Sequence, residues 1–331
     1  MTATESGIDL SVVAPVYNEE ENVPLLVQEL QAVLSTLQRS WEIVLVDDGS
    51  TDRSWERLVE AARTHPRLRL VRLRRNFGQT AAMTAGFQEA RGKVIVTMDA
   101  DLQNDPAEIP KLLERMDAGF DVVSGWRKDR KDAFLTRLLP SMIANAMISK
   151  FTGVALHDYG CTLKAYSREI VSHIDLYGEM HRFIPALASW VGGRIDEVPV
   201  NHRPRRFGKS KYGLSRIVKV LLDLLTVKFL LRYSTRPIQI FGKIGLLFGV
   251  AGFLMMLAVL IGHLSFLCFR TEFAADLIKR PFWVIAPFML ILFCLQFISM
   301  GLLAEIQIRT YHESQNKPIY IIKERFESPA Q

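Results

Sequence analysis

Residues 93–106 read KVIVTMDADLQNDP. Val94-Ile95-Val96-Thr97-Met98 has the short, apolar, β-branched character of a buried strand, and it runs straight into Asp99-Ala100-Asp101, with Gln103 two further on. Alternate residues of a strand share a face, so Asp99 and Asp101 can converge on one ion at the strand terminus. Oxygen-only ligands suit Mg²⁺ or Mn²⁺, which in turn suit a diphosphate. The same pattern also fits a solvated loop after a strand, and the remainder of the chain decides between the two.

The chain has 331 residues with a formal charge of +6, enough for two domains and a sizeable core. Cys161, Cys268 and Cys294 give neither a disulfide framework nor a zinc spacing, which fits a reducing compartment. Residues 1–9 lack a basic n-region, so a cleaved signal peptide is not expected. Late in the chain, Ile244–Leu267 and Phe282–Ala304 run for 24 and 23 residues without a formal charge. Either can span a hydrocarbon core of about 30 Å. Two such runs around a short polar loop predict a membrane hairpin, with both chain ends on one side. His263, inside the first run, reads as a packing or near-interface residue.

Between residues 8 and 130, strand and helix signals alternate. Leu10–Val16, Ile43–Asp47, Leu68–Leu73, Val94–Met98 and Asp121–Ser124 read as strands. Glu20–Leu37, Asp52–Thr64, Gln79–Ala90 and Ala107–Ala118 read as helices, with cap signals at Ser50-Thr51-Asp52 and Asp105-Pro106. That order predicts an α/β, Rossmann-like, mostly parallel sheet with ligands at the carboxyl ends of its strands. Glu19, Asp47/Asp48 and Asp99/Asp101 all fall just past such ends and can share one crevice. No G-x-G-x-x-G follows the first strand and no G-x-x-x-x-G-K-[ST] occurs, so phosphates are to be held by metal and basic side chains.

Farther on, Phe134–Phe151 is an apolar-rich helix candidate. Gly213–Leu231 carries Arg216, Lys219, Asp223 and Thr226 as a narrow polar stripe, which fits an interfacial helix on the membrane or a buried helix of the soluble domain. Arg203, Arg205, Arg206, Lys209 and Lys211 form a basic run without an acid, interrupted by Gly208 and Ser210. It reads as a phosphate-holding loop, or as a solvated basic face. Asn76, Gly78 and Gln79 can face the crevice, or Asn76 can cap a helix.

Pro15-Val16-Tyr17-Asn18-Glu19, Val46-Asp47-Asp48-Gly49-Ser50, Asp99-Ala100-Asp101-Leu102-Gln103 and Gly208-Lys209-Ser210-Lys211, in this order, resemble the family 2 glycosyltransferases of GT-A fold. The subgroup resembled is the polyprenyl-phosphate sugar transferases, such as dolichyl-phosphate mannose synthase and bacterial bactoprenol glucosyltransferase. The likeness covers roughly residues 8–235 and extends to the paired C-terminal spans.

The resemblance implies that Pro15, Tyr17, Glu19, Val46 and Asp48 contact the nucleoside, that Ala100 lies on the nucleotide, and that Asp99, Asp101 and Gln103 hold Mg²⁺ or Mn²⁺. Arg127, Arg205 and Lys211 would grip phosphates; Arg205 is chosen over Arg206 by its spacing of six to Lys211. Asp158, in His157-Asp158-Tyr159-Gly160-Cys161, would orient the acceptor or a sugar hydroxyl, or stabilise a turn.

The expected domains are a GT-A domain over 1–212, an interfacial helix over 213–240, two spans over 241–306 and a cytoplasmic tail over 307–331. The expected reaction is inverting transfer of one sugar from a nucleotide diphosphate to undecaprenyl or another polyprenyl phosphate. Glucose from UDP-glucose is the first expectation, with GDP-mannose or a UDP-aminoarabinose-type donor as alternatives. The setting would be the bacterial inner membrane, with the catalytic domain and both termini cytoplasmic. Four basic residues flank the first span (Lys228, Arg232, Arg236, Lys243) and four lie in the tail, against three in the loop, a weak bias of the same sense. A nucleic-acid partner is not expected, and a homo-oligomer is left open. A processive polysaccharide synthase would carry Q/R-x-x-R-W and more spans, and neither is present. A decayed transferase kept as a scaffold would have lost acidic or basic motif residues, and all are retained.

Overall fold

The computed structural model describes residues 7–128, 145, 146, 148–150, 152–174, 176, 180–204, 238–269, 281–314 and 320–328. The chain divides into two compact units, Met1–Val227 with Pro318–Gln331, and Lys228–Lys317.

In the first unit, β1 (Leu10–Val16), β2 (Trp41–Asp47), β3 (Leu68–Leu73), β4 (Val94–Thr97), β5 (Val122–Trp126), β6 (Lys164–Ser167), β7 (Ile195–Pro199) and β8 (Ile322–Glu327) form one sheet, ordered β7-β5-β6-β4-β1-β2-β3-β8. The pairs β1–β2, β1–β4, β2–β3 and β5–β7 are parallel. β6 runs antiparallel to β4 and β5, and β8 antiparallel to β3.

Every residue of β2 is buried, as a strand covered on both faces requires, and this is why it reads as a continuous apolar run. Helix α1 (Val23–Leu34) buries Val23, Leu26, Val27, Leu30 and Leu34, one stripe at helical spacing. Helices α2 (Ser54–Thr64), α3 (Gln79–Glu89) and α4 (Ile109–Asp117) complete the layers, and the short α5 (Arg168–Ser172) and α6 (Ile184–Trp190) follow β6. α3 lies tight against the sheet at Gly86, where a Cβ would stand 2.3 Å from Val13 Cγ1.

The five expected strands are present with shifts of up to two residues at either end. Helix starts lie later than expected: Val23 rather than Glu20, and Ser54 rather than Asp52. The Asp105 cap holds, its carboxylate accepting from Ala107 N at 3.0 Å. Asn76 is not the cap of α3. That position belongs to Gly78, at φ +95°, and the turn's free amides are taken by Asp48 instead.

β6, β7 and β8 were not expected from the sequence: β6 is only four residues long, and β7 and β8 are short edge strands rich in charge, so none has the apolar run of the central strands. Edge strands carry such charges to discourage pairing with other chains. β8 comes from the segment expected to be a tail. Arg69 and Arg91 each meet Glu327 at 3.0 Å, Arg325 meets Glu89 at 2.8 Å, and Phe326 packs against the core.

The second unit is a pair of helices, α7 (Ile238–Phe269) and α8 (Pro281–Ser314). They contain Phe241–Ser265 and Pro281–Ala304, each long and apolar enough to cross a membrane and only 11% and 6% buried. A core helix of a soluble domain would be mostly covered. Gly245, Gly249 and Gly252 line the contact with α8, where added Cβ atoms would come within 3.0 Å of Cys294 O, 2.9 Å of Cys294 Sγ and 2.9 Å of Leu290 Cβ. Small residues let helix backbones approach in this way. The polar-striped segment 213–231, most of 134–151, and Arg205 and Lys211 lie outside the described residues.

Candidate active site

Parallel pairing of β1, β2 and β4 puts their carboxyl ends on one side of the sheet. There the loops after β1 and β2 are stitched together. Asn18, at φ +52°, accepts from Thr51 N at 2.8 Å and donates its own N–H to Ser50 Oγ at 3.0 Å. Glu19 N donates to Ser54 Oγ at 2.8 Å, and Glu19 Oε2 accepts from Asn22 Nδ2 at 2.5 Å. Pro15, Tyr17 and Glu19 keep partial exposure on this wall.

The two acids after β2 have separate duties. Asp47 is fully buried, lies 3.3 Å from Arg72 Nε and accepts from Ser50 N, a structural role. Asp48 accepts from Phe77 N at 2.8 Å and Gly78 N at 2.9 Å, one bond to each oxygen. Burial pushes its pKa up to about 6 despite those bonds. Gly49, at φ +66°, makes the contact possible, since a Cβ there would sit 2.3 Å from the Arg75 carbonyl carbon. Asp48 thus holds the 75–78 turn first, and a base N–H would have to use its remaining lone pairs.

Two residues expected to contact the nucleotide have buried side chains. Val46 has no exposed surface and its side chain faces Gly86 of α3, because alternation on β2 turns it inward. Ala100 belongs to the apolar core at 3% exposure, so its methyl is not a platform for the nucleotide. Only the backbone of either residue is left for such a contact.

Past β4, Asp99 Oδ1 accepts from Gln79 Nε2 and Oδ2 from Thr162 Oγ1, both at 2.8 Å. Asp101 Oδ1 accepts from Gln103 N at 3.1 Å across a turn in which Leu102 takes φ +62°. Burial first, and the charge of Asp101 second, raise the pKa of Asp99 to about 6. Gln103 Nε2 lies 3.4 Å from His202 Nε2, which leaves the amide oxygen as its donor towards a cation.

Among the described residues no three His, Cys, Asp or Glu side chains cluster as a metal set. The oxygen donors are therefore two carboxylates and an amide. Repulsion between paired acids at one strand end is the charge a divalent cation would neutralise, so the residues fit a hard cation completed by a ligand's phosphates.

Arg127 follows β5 and meets Asp158 in a fork, Nε to Oδ2 at 2.6 Å and Nη2 to Oδ1 at 2.9 Å. Asp158 is 3% exposed and also accepts from Gly160 N at 3.1 Å. The guanidinium stays charged, its pKa raised by Asp158 against the opposing effect of burial, and its field reaches Asp99. Lys164, wholly buried, donates to the carbonyls of Tyr159 and Cys161 and so fastens the loop that carries Asp158 and Thr162.

Arg203, first of the basic run, is engaged by Glu29 and Asp105 at 2.6 Å each, which makes it structural. Its N–H donates to Gln103 O at 2.9 Å, so the chain enters the run from beside the paired acids. Thr162 and Lys164 were missed by sequence reasoning and carry no local signal there.

A mostly parallel sheet with paired carboxylates at a central strand end, a guanidinium whose field reaches the first of them and no glycine-rich phosphate turn fits a GT-A sugar-nucleotide transferase. Residues 11–175 match the model of the family described as Glycosyl transferase family 2. The dodecaprenyl-phosphate galacturonate synthase of Rhizobium johnstonii is 44% identical, over 98% of this chain and 95% of its own length. The undecaprenyl-phosphate 4-deoxy-4-formamido-L-arabinose transferase of Pectobacterium atrosepticum is 43% identical, over 95% and 93%. This chain belongs to glycosyltransferase family 2, and it is a polyprenyl-phosphate glycosyltransferase.

Solved structures give the same fold. Glucosyl-3-phosphoglycerate synthase of Mycobacterium tuberculosis, in complex with Mn²⁺ and UDP, superposes with TM-score 0.53 at 17% identity, over 68% of this chain and 81% of that one. Mannosyl-3-phosphoglycerate synthase of Rubrobacter xylanophilus gives TM-score 0.56 at 16% identity, over 67% and 74%.

Proposed function

We propose that the enzyme transfers one sugar, with inversion at C1, from a UDP-sugar to a polyprenyl phosphate at the cytoplasmic face of a bacterial inner membrane, with Mg²⁺ or Mn²⁺ at Asp99, Asp101 and Gln103. The observation that carries this reading is the pair Asp99 and Asp101 past β4, with Thr162 bonded to Asp99 from the same loop whose Asp158 grips Arg127.

The lipid phosphate has a second pKa of about 6, so its oxygen is already a nucleophile near neutral pH. That oxygen forms the new bond to C1 as the C1–O bond to UDP breaks, and both electrons leave with the diphosphate. A strong general base is not required. A bound cation would neutralise charge developing on the leaving diphosphate. Arg127, its fork fixed by Asp158, would offset the same developing charge. Arg205 and Lys211 would offset repulsion between acceptor phosphate and donor diphosphate. Asp158 serves as orienter of Arg127, and Glu19 and Asp48 as the nucleoside wall.

The relatives at 44% and 43% identity are named for galacturonate and 4-deoxy-4-formamido-L-arabinose. A uronate or 4-amino-pentose donor therefore stands ahead of UDP-glucose and GDP-mannose. Purified enzyme is tested with UDP-galacturonate, UDP-4-deoxy-4-formamido-L-arabinose, UDP-glucose and GDP-mannose against undecaprenyl phosphate. Label should enter organic-extractable lipid from one of the first two. Label in polymer, or only from GDP-mannose, would sink the reading.

The sheet bears on sidedness. β8 pairs with β3 inside the catalytic unit, yet the two apolar helices lie between them in the chain. If both helices span, tail and catalytic domain share a face, and the sugar-nucleotide donor makes that face cytoplasmic. In a Cys268→Ser background, a cysteine at Thr271 should react with an impermeant maleimide on intact cells. One at Ile321, which is 56% exposed, should not. The reverse pattern would overturn the orientation.

A further inference from the structure

We infer that Gln79 and Thr162 are positioning residues of the cation site, fixing the carboxylate of Asp99 from two separate elements. The inference rests on the metal dependence proposed above and adds residues that lie outside the Asp99–Gln103 motif. Gln79 is the first residue of α3, and its amide reaches away from its own helix to Asp99 Oδ1 at 2.8 Å. Thr162 lies just before β6, and its hydroxyl reaches Asp99 Oδ2 at 2.8 Å and Asn104 Oδ1 at 3.0 Å. The hydroxyl has a single proton, and the shorter of its contacts is to the carboxylate. Asn104 Oδ1 also accepts from Asp99 N at 3.0 Å.

Asp99 is thus held at both oxygens and at its backbone, and its carboxylate plane cannot turn without breaking a bond. Each oxygen keeps a further lone pair for a cation. Asp101 accepts from Gln103 N at 3.1 Å across its own turn.

The two struts also join the cation site to both walls of the crevice. Gly78, adjacent to Gln79, donates to Asp48 on the nucleoside side. Asp158, four residues before Thr162, grips Arg127 on the phosphate side. Partners that orient a ligating carboxylate commonly govern about 10–100-fold in metal affinity.

The test is Mn²⁺ binding to the purified full-length protein with saturating UDP, followed by electron paramagnetic resonance. The variants are Gln79→Ala, Thr162→Val and Thr162→Ser. Gln79→Ala and Thr162→Val should each weaken Mn²⁺ by about 10–100-fold. Thr162→Ser, which keeps the hydroxyl, should bind as the parent does. Turnover lost in Thr162→Val should return at high Mn²⁺. Parental Mn²⁺ affinity in both Gln79→Ala and Thr162→Val overturns the inference while leaving the metal reading intact. Absence of UDP-dependent Mn²⁺ binding in the parent enzyme overturns both. Thr162→Val and Thr162→Ser are near-isosteric with threonine, so this pair decides the matter even where Gln79→Ala folds poorly.

Discussion

One flank of the sheet is built by β5, β6 and β7, and the other by β8, and both are held by arginine–carboxylate pairs. On the first flank Arg127 and Asp158 are 14% and 4% exposed and joined in a two-bond fork. On the second, Arg69 meets Glu327 with side-chain exposures of 11% and 58%. The contact type is shared and the setting is not. Breaking a buried pair strands a charge, at about 3–5 kcal/mol, whereas an exposed pair contributes about 0–1 kcal/mol. Electrostatics on the first flank is tied to chemistry, while on the second it fastens a strand.

The largest expected effect tests the acids that the first flank faces. Asp101→Asn should lower kcat by on the order of 10³ or more, with a smaller change in nucleotide affinity, because leaving-group stabilisation is a transition-state effect. Full turnover by enzyme stripped with EDTA would remove the cation from the account.

Next comes the fork itself. Arg127→Ala should cost about 10²–10³ in kcat, and Arg127→Lys should recover little of it, because an ammonium cannot span both oxygens of Asp158. Asp158→Asn should follow the same trend through misplacement of Arg127. Similar losses are expected for Arg205→Ala and Lys211→Ala, and near-normal turnover in those two would return the basic run to a solvated face.

What the sequence disclosed follows the same division. β1, β2 and β4 were legible because strands covered on both faces must be apolar throughout, and the acids beyond them were legible as motifs. Gln79 was visible only as a crevice candidate. Thr162 was not visible at all, since its role arises from antiparallel β6, which brings it to an aspartate 63 residues away. Ile322–Glu327 holds four charged residues in six, so its docking onto β3 left no apolar signature. The inward turn of the Val46 and Ala100 side chains was not legible either, because a motif names a position without saying which way the side chain turns.

A third, smaller effect is in pH. Burial raises Asp99 and Asp48 to about 6, from the 3.8 usual for an aspartate. Protonated Asp99 loses the negative charge that would hold a cation, so kcat/KM should fall about tenfold per unit as pH drops below about 6. Stability of the metal-free protein responds in the opposite sense. Groups whose folded pKa is raised bind protons more tightly in the folded state, so their contribution is present below 3.8 and lost as pH rises through about 6. A flat rate profile between pH 7 and 5 would contradict the burial of Asp99.

The smallest effect belongs to the far flank. Glu327 meets Arg69 and Arg91 at 3.0 Å but is itself 58% exposed, and water competes for both contacts. Glu327→Ala should therefore lower unfolding stability by only about 0.2–1 kcal/mol, an effect further reduced in high salt. β8 stays paired through its backbone ladder to β3 and the packing of Phe326, neither of which involves the lost carboxylate. β1, β2 and β3 separate β8 from β4 in the sheet, so kcat per folded molecule should not change. A kcat loss approaching that of Arg127→Ala would mean that the fastening of the tail strand reaches the acids through the sheet, and the separation between the two flanks would fail.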